Sequence, residues 1–209
     1  MDFEIWLAFV AASTALLLIP GPTVLLVLSY ALSKGRSVAV ASATGVALGD
    51  LIAMSASLAG LGALVTASAT FFTLLKWVGA AYLVWLGVKL IRSAPSGGLA
   101  IPEGEDVTAS RVFGHAAAVT ALNPKSIAFF IAFVPQFISP TAPLLPQFAL
   151  VTATFVGLAA INALAYALAA DRLRRLIARP AIITWITRAG GAALIGMGLL
   201  TATLRRSTA

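Results

Sequence analysis

Cysteine is absent from the 209 residues, there is one histidine, and seven acids face fourteen bases. The missing thiols exclude disulfides, thiolate metal sites and cysteine nucleophiles. Charge of either sign is scarce. Only 10% of the residues are charged while 60% are hydrophobic, and the mean hydropathy is +1.01. Soluble domains carry far more polar surface than this, so water is not the main solvent of the chain. A net charge of +7 raises the question of nucleic acid, but a nucleic-acid face needs bases clustered on a polar surface, and here they stand at the ends of apolar runs. The start, Met1-Asp2-Phe3-Glu4, is acidic where a signal peptide would be basic, so the first apolar run reads as a retained span.

Apolar runs cover about Ile5 to Leu32, Ser37 to Ala67, Phe71 to Ile91, Phe113 to Ile138, Leu144 to Ala170 and Ala181 to Leu204. Each exceeds or approaches the roughly 20 helical residues that cross a bilayer. The expected fold is therefore an all-α membrane protein with six transmembrane helices in a single domain. Only the link at about 93–110, with Pro95-Ser96-Gly97-Gly98 and three acids, reads as flexible. Links one, three and five with their flanks hold ten bases: Lys34, Arg36, Lys89, Arg92, Arg111, Arg172, Arg174, Arg175, Arg179 and Arg188. The other side holds three, Lys76, Arg205 and Arg206. Bases in short links mark the cytoplasmic side, which puts those links inside and both termini outside a bacterial cytoplasmic (inner) membrane.

The halves, about 1–92 and 111–209, echo each other. Pro20-Gly21-Pro22 interrupts the first run near its middle and Asn123-Pro124-Lys125 interrupts the fourth, while Lys76 to Ala81 and Arg188 to Ala193 both run from a base into Gly-Ala-Ala or its like. Three spans per half force the second half to enter upside down. That is the inverted-repeat plan of many secondary transporters, with broken first and fourth helices flanking a midplane site.

Proline inside a helix removes a hydrogen bond and clashes with the preceding turn. Backbone freed that way at membrane depth must be buried in protein or line a wet cavity. The break therefore either lines a ligand site, with its half-helix ends offered to carboxylate and ammonium, or is a packing kink. Asp50 is the one acid inside an apolar run and Lys125 the one base deep in a run. An intramembrane charge is costly enough to need a use. Asp50 reads as a proton carrier or substrate-ammonium partner, Lys125 as a holder of substrate carboxylate, or the two as a static ion pair. Asn123 serves ligand or helix cap equally well. Candidate cavity or gate residues are Gly49, Tyr82, Gln136 and Asn162. Gly45 and Gly49, and the glycines around Gly191 and Gly196, form small-residue faces for helix packing that also permit a homodimer. Trp6, Trp77 and Trp85 read as interface anchors, and His115 as a solvated residue near the cytoplasmic end.

Taken together, Pro20 to Pro22, Gly45 to Asp50, Lys76 to Gly87, Leu122 to Lys125 with Pro135-Gln136-Phe137, and Gly191 to Gly198 make the chain resemble the LysE/RhtB family of bacterial amino-acid exporters along nearly its whole length. The resemblance implies an efflux transporter rather than an enzyme, driven by the proton gradient without cofactor, metal or ATP. It agrees with the lack of a phosphate-binding Gly-rich Lys-Ser/Thr motif. It carries Pro20, Gly21, Pro22, Asp50, Asn123, Pro124 and Lys125 over as substrate-site residues. A single cavity acid suits small neutral amino acids such as threonine or homoserine better than basic ones. The alternatives are efflux of a metal cation or other small solute, for which one carboxylate is a poor ligand set, and a non-transporting scaffold.

Overall fold

A computed structural model describes residues 1–19, 21–34, 36–67, 69–92, 108–139, 142–170 and 179–203. Eight helices and one 3-10 turn, and no strand, make up the described residues. They are α1 (Phe3–Leu18), α2 (Pro22–Lys34), α3 (Arg36–Ala67), α4 (Ala69–Arg92), α5 (Ala109–Ala121), α6 (Pro124–Ala132), α7 (Leu144–Leu168) and α8 (Pro180–Thr203), with the 3-10 turn Val134–Phe137 after α6. The ends fall where the side chains dictate. Pro22 opens α2 and Pro124 opens α6, because a proline with no N–H fits only the first turn of a helix. Thr108 caps α5 by accepting from the Arg111 amide, and Asn123 caps α6 by accepting from the Lys125 amide.

Within α3 and α7, the stretches Val38–Ala63 and Leu144–Leu168 are each long and apolar enough to cross a membrane. The pairs α1/α2 and α5/α6 meet the same test only when joined across bends of 59° and 45°. The described residues are thus all-helical, and their long apolar helices fit a multi-pass membrane protein. Helices α4 and α8 have 24 residues apiece, with Lys76, Lys89 and Arg92 in one and Arg188 in the other. Pro20 and most of the link expected to be flexible, 93–107, lie outside the described residues.

Two helix contacts are made possible by missing side chains. Gly49 of α3 lies so close to α5 that a Cβ there would stand 2.5 Å from the Ala117 carbonyl and 2.6 Å from Thr120 Cβ. Gly87 of α4 and Gly191 of α8 press on each other's backbones, each added Cβ meeting the other's carbonyl at 2.5–2.6 Å. Close backbone approach of this kind gains dispersion contacts that lipid cannot match. Gly196, grouped with Gly191 on the sequence, has open space beside it; its neighbours on α8 turn another face to α4. On the side of the breaks occupied by α1, α6 and α7 the core is aromatic. Phe155 meets Phe130 at 4.8 Å and Phe129 at 5.8 Å between ring centroids, and Phe137 meets Phe133 at 5.2 Å and Phe9 at 5.4 Å.

Candidate functional site at two helix breaks

An α-helix leaves its last carbonyls without internal partners, and α1 ends in the interior of the bundle, where Leu16 and Ile19 are buried. All four of its terminal carbonyls are met by side chains. Lys125 Nζ donates to Leu16 O at 3.1 Å and to Ile19 O at 2.9 Å. Asn162 Nδ2 donates to Leu17 O at 3.1 Å, and the Tyr166 hydroxyl donates to Leu18 O at 3.1 Å. The carbonyl end of a helix is its negative pole, so an ammonium suits it electrically as well as geometrically. Asn162 and Tyr166 reach it together because they are one turn apart on one face of α7.

Beside this end opens a cavity of about 30 Å³ lined by Gly21, Thr23, Asp50, Asn123, Lys125, Ser126 and Asn162 among polar or small residues. That is room for about one or two waters. Asp50 and Lys125 are both buried, at 2% and 8% exposure. Asp50 Oδ1 has no hydrogen-bond partner. Lys125 finds its hydrogen-bond partners in the α1 carbonyls rather than the Asp50 carboxylate, so the static ion pair weighed on the sequence is not the arrangement here. The close packing of Gly49 brings α3 against α5 and sets its neighbour Asp50 beside the second break.

A polar string closes the α2/α5 side. Asn123 Nδ2 donates to Thr23 Oγ1 at 3.1 Å, which in turn lies 3.4 Å from Thr120 Oγ1. Farther along, the Tyr30 hydroxyl and His115 Nδ1 are 2.7 Å apart. Negative α1 end and positive N-terminal ends of α2 and α6 thus converge on one small cavity, an arrangement complementary to a zwitterion.

Of the residues singled out on the sequence, Gly21, Asp50, Asn123, Lys125 and Asn162 line this cavity, whereas Pro22 and Pro124 stand at the helix starts and break the helices rather than line it. Gly49 faces α5, Tyr82 stacks obliquely on Trp85 at 5.4 Å, and Gln136 sits in the 3-10 turn; none of the three lines the cavity. Sequence reasoning missed Thr23, Thr120, Ser126 and Tyr166. The spacing of Tyr166 four residues after Asn162 was the one available signal for it.

A family model described as LysE type translocator matches residues 5–205. The chain belongs to the LysE type translocator family. Among its relatives, a Vibrio cholerae protein named an uncharacterized membrane protein is 36% identical over 98% of this chain and 100% of its own length. The homoserine/homoserine lactone efflux protein of Salmonella typhimurium is 34% identical over 99% of this chain and 100% of its own length. A leucine efflux protein from an Enterobacter species is 31% identical over 64% of each. No solved structure matches the chain. Membership of a translocator family fits the movement of a small molecule and a non-enzymatic role.

Proposed function

We propose that the chain exports small amino acids, homoserine or threonine before basic ones, out of the cytoplasm across a bacterial inner membrane, in exchange for protons and by alternating access. In this reading six spans form two inverted repeats, about 1–92 and 111–209, with α1/α2 and α5/α6 as the corresponding broken spans. The observation that carries it is the buried cavity where both breaks meet, holding Asp50, Lys125 and three helix ends. Substrate sites of inverted-repeat transporters are built in just this way, from discontinuous helices near the midplane.

The name of the Salmonella relative adds a chemical clue. Homoserine and its lactone share a free α-ammonium, while the lactone has no free carboxylate. The ammonium is then the common handle, and the α1 carbonyls are the matching acceptor set, with Asp50 in the same cavity as the counter-charge. Ligand pockets span roughly 300–1,000 Å³, so a cavity of about 30 Å³ must widen to admit an amino acid. Proton binding at Asp50 would neutralise that counter-charge and favour release outside.

The test is reconstituted vesicles with an imposed pH gradient and labelled L-homoserine, L-threonine, L-leucine and L-lysine. Gradient-dependent movement of the neutral amino acids is expected. Movement of none of them, or movement indifferent to the gradient, sinks the reading.

A further inference from the structure

We infer that Lys125 is a tethered occupant of the substrate's ammonium site, and that an incoming amino acid must displace it from the α1 carbonyls toward Asp50. The inference rests on the export reading above and names which cation sits where. A primary ammonium donating to two carbonyls at the negative end of a helix is the same chemical group, on the same acceptors, as the α-ammonium of an amino acid. Nζ fills that seat now, at 3.1 Å from Leu16 O and 2.9 Å from Ile19 O.

The lysine chain runs beside Gly21, where even an added Cβ would be in ordinary van der Waals contact with Nζ at 3.4 Å and Cε at 3.6 Å. The alternative resting place is also present. Asp50 lines the same narrow cavity, is 2% exposed, and keeps one carboxylate oxygen without a hydrogen-bond partner. Leaving such a group unpaired is costly unless another state of the protein uses it. Displaced by substrate, the Lys125 ammonium gains Asp50; with substrate gone, it returns to the carbonyls and closes the first break. The empty transporter therefore holds its own counterfeit ligand, and the carbonyls of α1 are never left bare in lipid. The site selects for a free primary ammonium, so N-acylated amino acids are excluded.

This assignment differs in sign from a Lys125 that grips the substrate carboxylate, and the wild-type protein distinguishes them. Purified protein in detergent is treated with a brief pulse of formaldehyde and a borane reductant, short enough to leave most of the ligand amine unmethylated. Methylation of Lys125 is read by peptide mass spectrometry as its ratio to that of Lys89, which is exposed and corrects for reagent consumed by the ligand. L-Homoserine and its lactone are expected to raise Lys125 methylation at least threefold, and N-acetyl-L-homoserine to leave it unchanged. Protection by homoserine, no response to it, or an equal rise with the N-acetyl compound overturns the inference. In vesicles, Lys125→Met is expected to lower the apparent KM for homoserine at least threefold while reducing the maximal rate, because the internal competitor is gone; a raised KM overturns it. Should Lys125→Met not fold, the wild-type labelling decides alone. Wild-type vesicles that transport homoserine with a flat labelling response defeat the inference only, whereas vesicles that transport no amino acid defeat the export reading beneath it.

Discussion

At the break between α5 and α6 the chain finishes its own ends. The Leu122 amide donates to Ala118 O, the Asn123 amide to Thr120 O, and the Asn123 side chain accepts from the Lys125 amide, all within a few residues. At the break between α1 and α2 one local bond remains, from the Ile19 amide to Leu16 O, and the carbonyls of Leu16 to Ile19 are met chiefly by Lys125, Asn162 and Tyr166, more than a hundred residues away in sequence. A locally finished break keeps its shape wherever its helix goes. One finished by another part of the chain is stable only while the two parts hold their present relation, so the first break is the one whose geometry would change in alternating access.

The largest expected effect comes from the acid that stands ready for the displaced cation. Asp50→Asn keeps size and removes charge, and gradient-driven export by that variant is expected to fall by about tenfold or more, which is only about 1.4 kcal/mol of lost coupling. Its thermal unfolding in detergent is expected to stay close to wild type. Normal transport by the variant would remove Asp50 from the proton path and leave the first break as a structural feature alone.

Packing at the second break is the next target. Gly49→Leu would drive a side chain into the Ala117 carbonyl and Thr120, and overpacking of this kind costs about 1–3 kcal/mol. A lowered unfolding temperature is expected, together with loss of transport in proportion to the misfolded fraction. An unchanged unfolding temperature would mean that α3 and α5 can separate freely at Gly49.

Much of this architecture was legible in the residues, and the part that was not has a physical reason. The apolar run from Ser37 to Ala67 became α3 and that from Leu144 to Ala170 became α7 within a few residues, because hydrophobic length and proline punctuation act locally. Both breaks fell at Pro22 and Pro124 for the same reason. What Lys125 touches could not be read, since its partners lie 106 and 109 positions away and are backbone atoms with no sequence signature. Tyr82 and Gln136, cavity or gate candidates on the sequence, lie outside the cavity lining, one beside Trp85 and the other in the 3-10 turn.

A paired substitution tests whether the two breaks differ in use as well as in construction. Asn123→Ala removes the local cap of α6, which costs about 0.5–2 kcal/mol, along with the hydrogen bond from Asn123 Nδ2 to Thr23 Oγ1, and is expected to lower the unfolding temperature more than the transport rate. Asn162→Leu removes a donor from Leu17 O; in membranes such a bond averages about 0.6 kcal/mol, so stability should move little while transport slows severalfold. Unfolding curves and initial export rates of both variants give the answer. Equal ratios of the two effects would erase the distinction between the breaks.

Tyr166→Phe should do least, and the reason sharpens what the first break needs. The hydroxyl gives Leu18 O one hydrogen bond at 3.1 Å, and Leu18 is more than half exposed at the outer face of its helix. The ring stays packed after the substitution, so neither cavity nor overpacking follows. Only the bond is lost, about 0.6 kcal/mol or roughly a threefold effect at most. Leu17 O keeps Asn162, and Leu16 O and Ile19 O keep Lys125, so the cation seat itself is intact. Export of homoserine by this variant is accordingly expected within threefold of wild type, measured as initial rate in vesicles. A drop of tenfold or more would show that Tyr166 shapes the path of the substrate past the end of α1, and the capping account of that residue would have to give way.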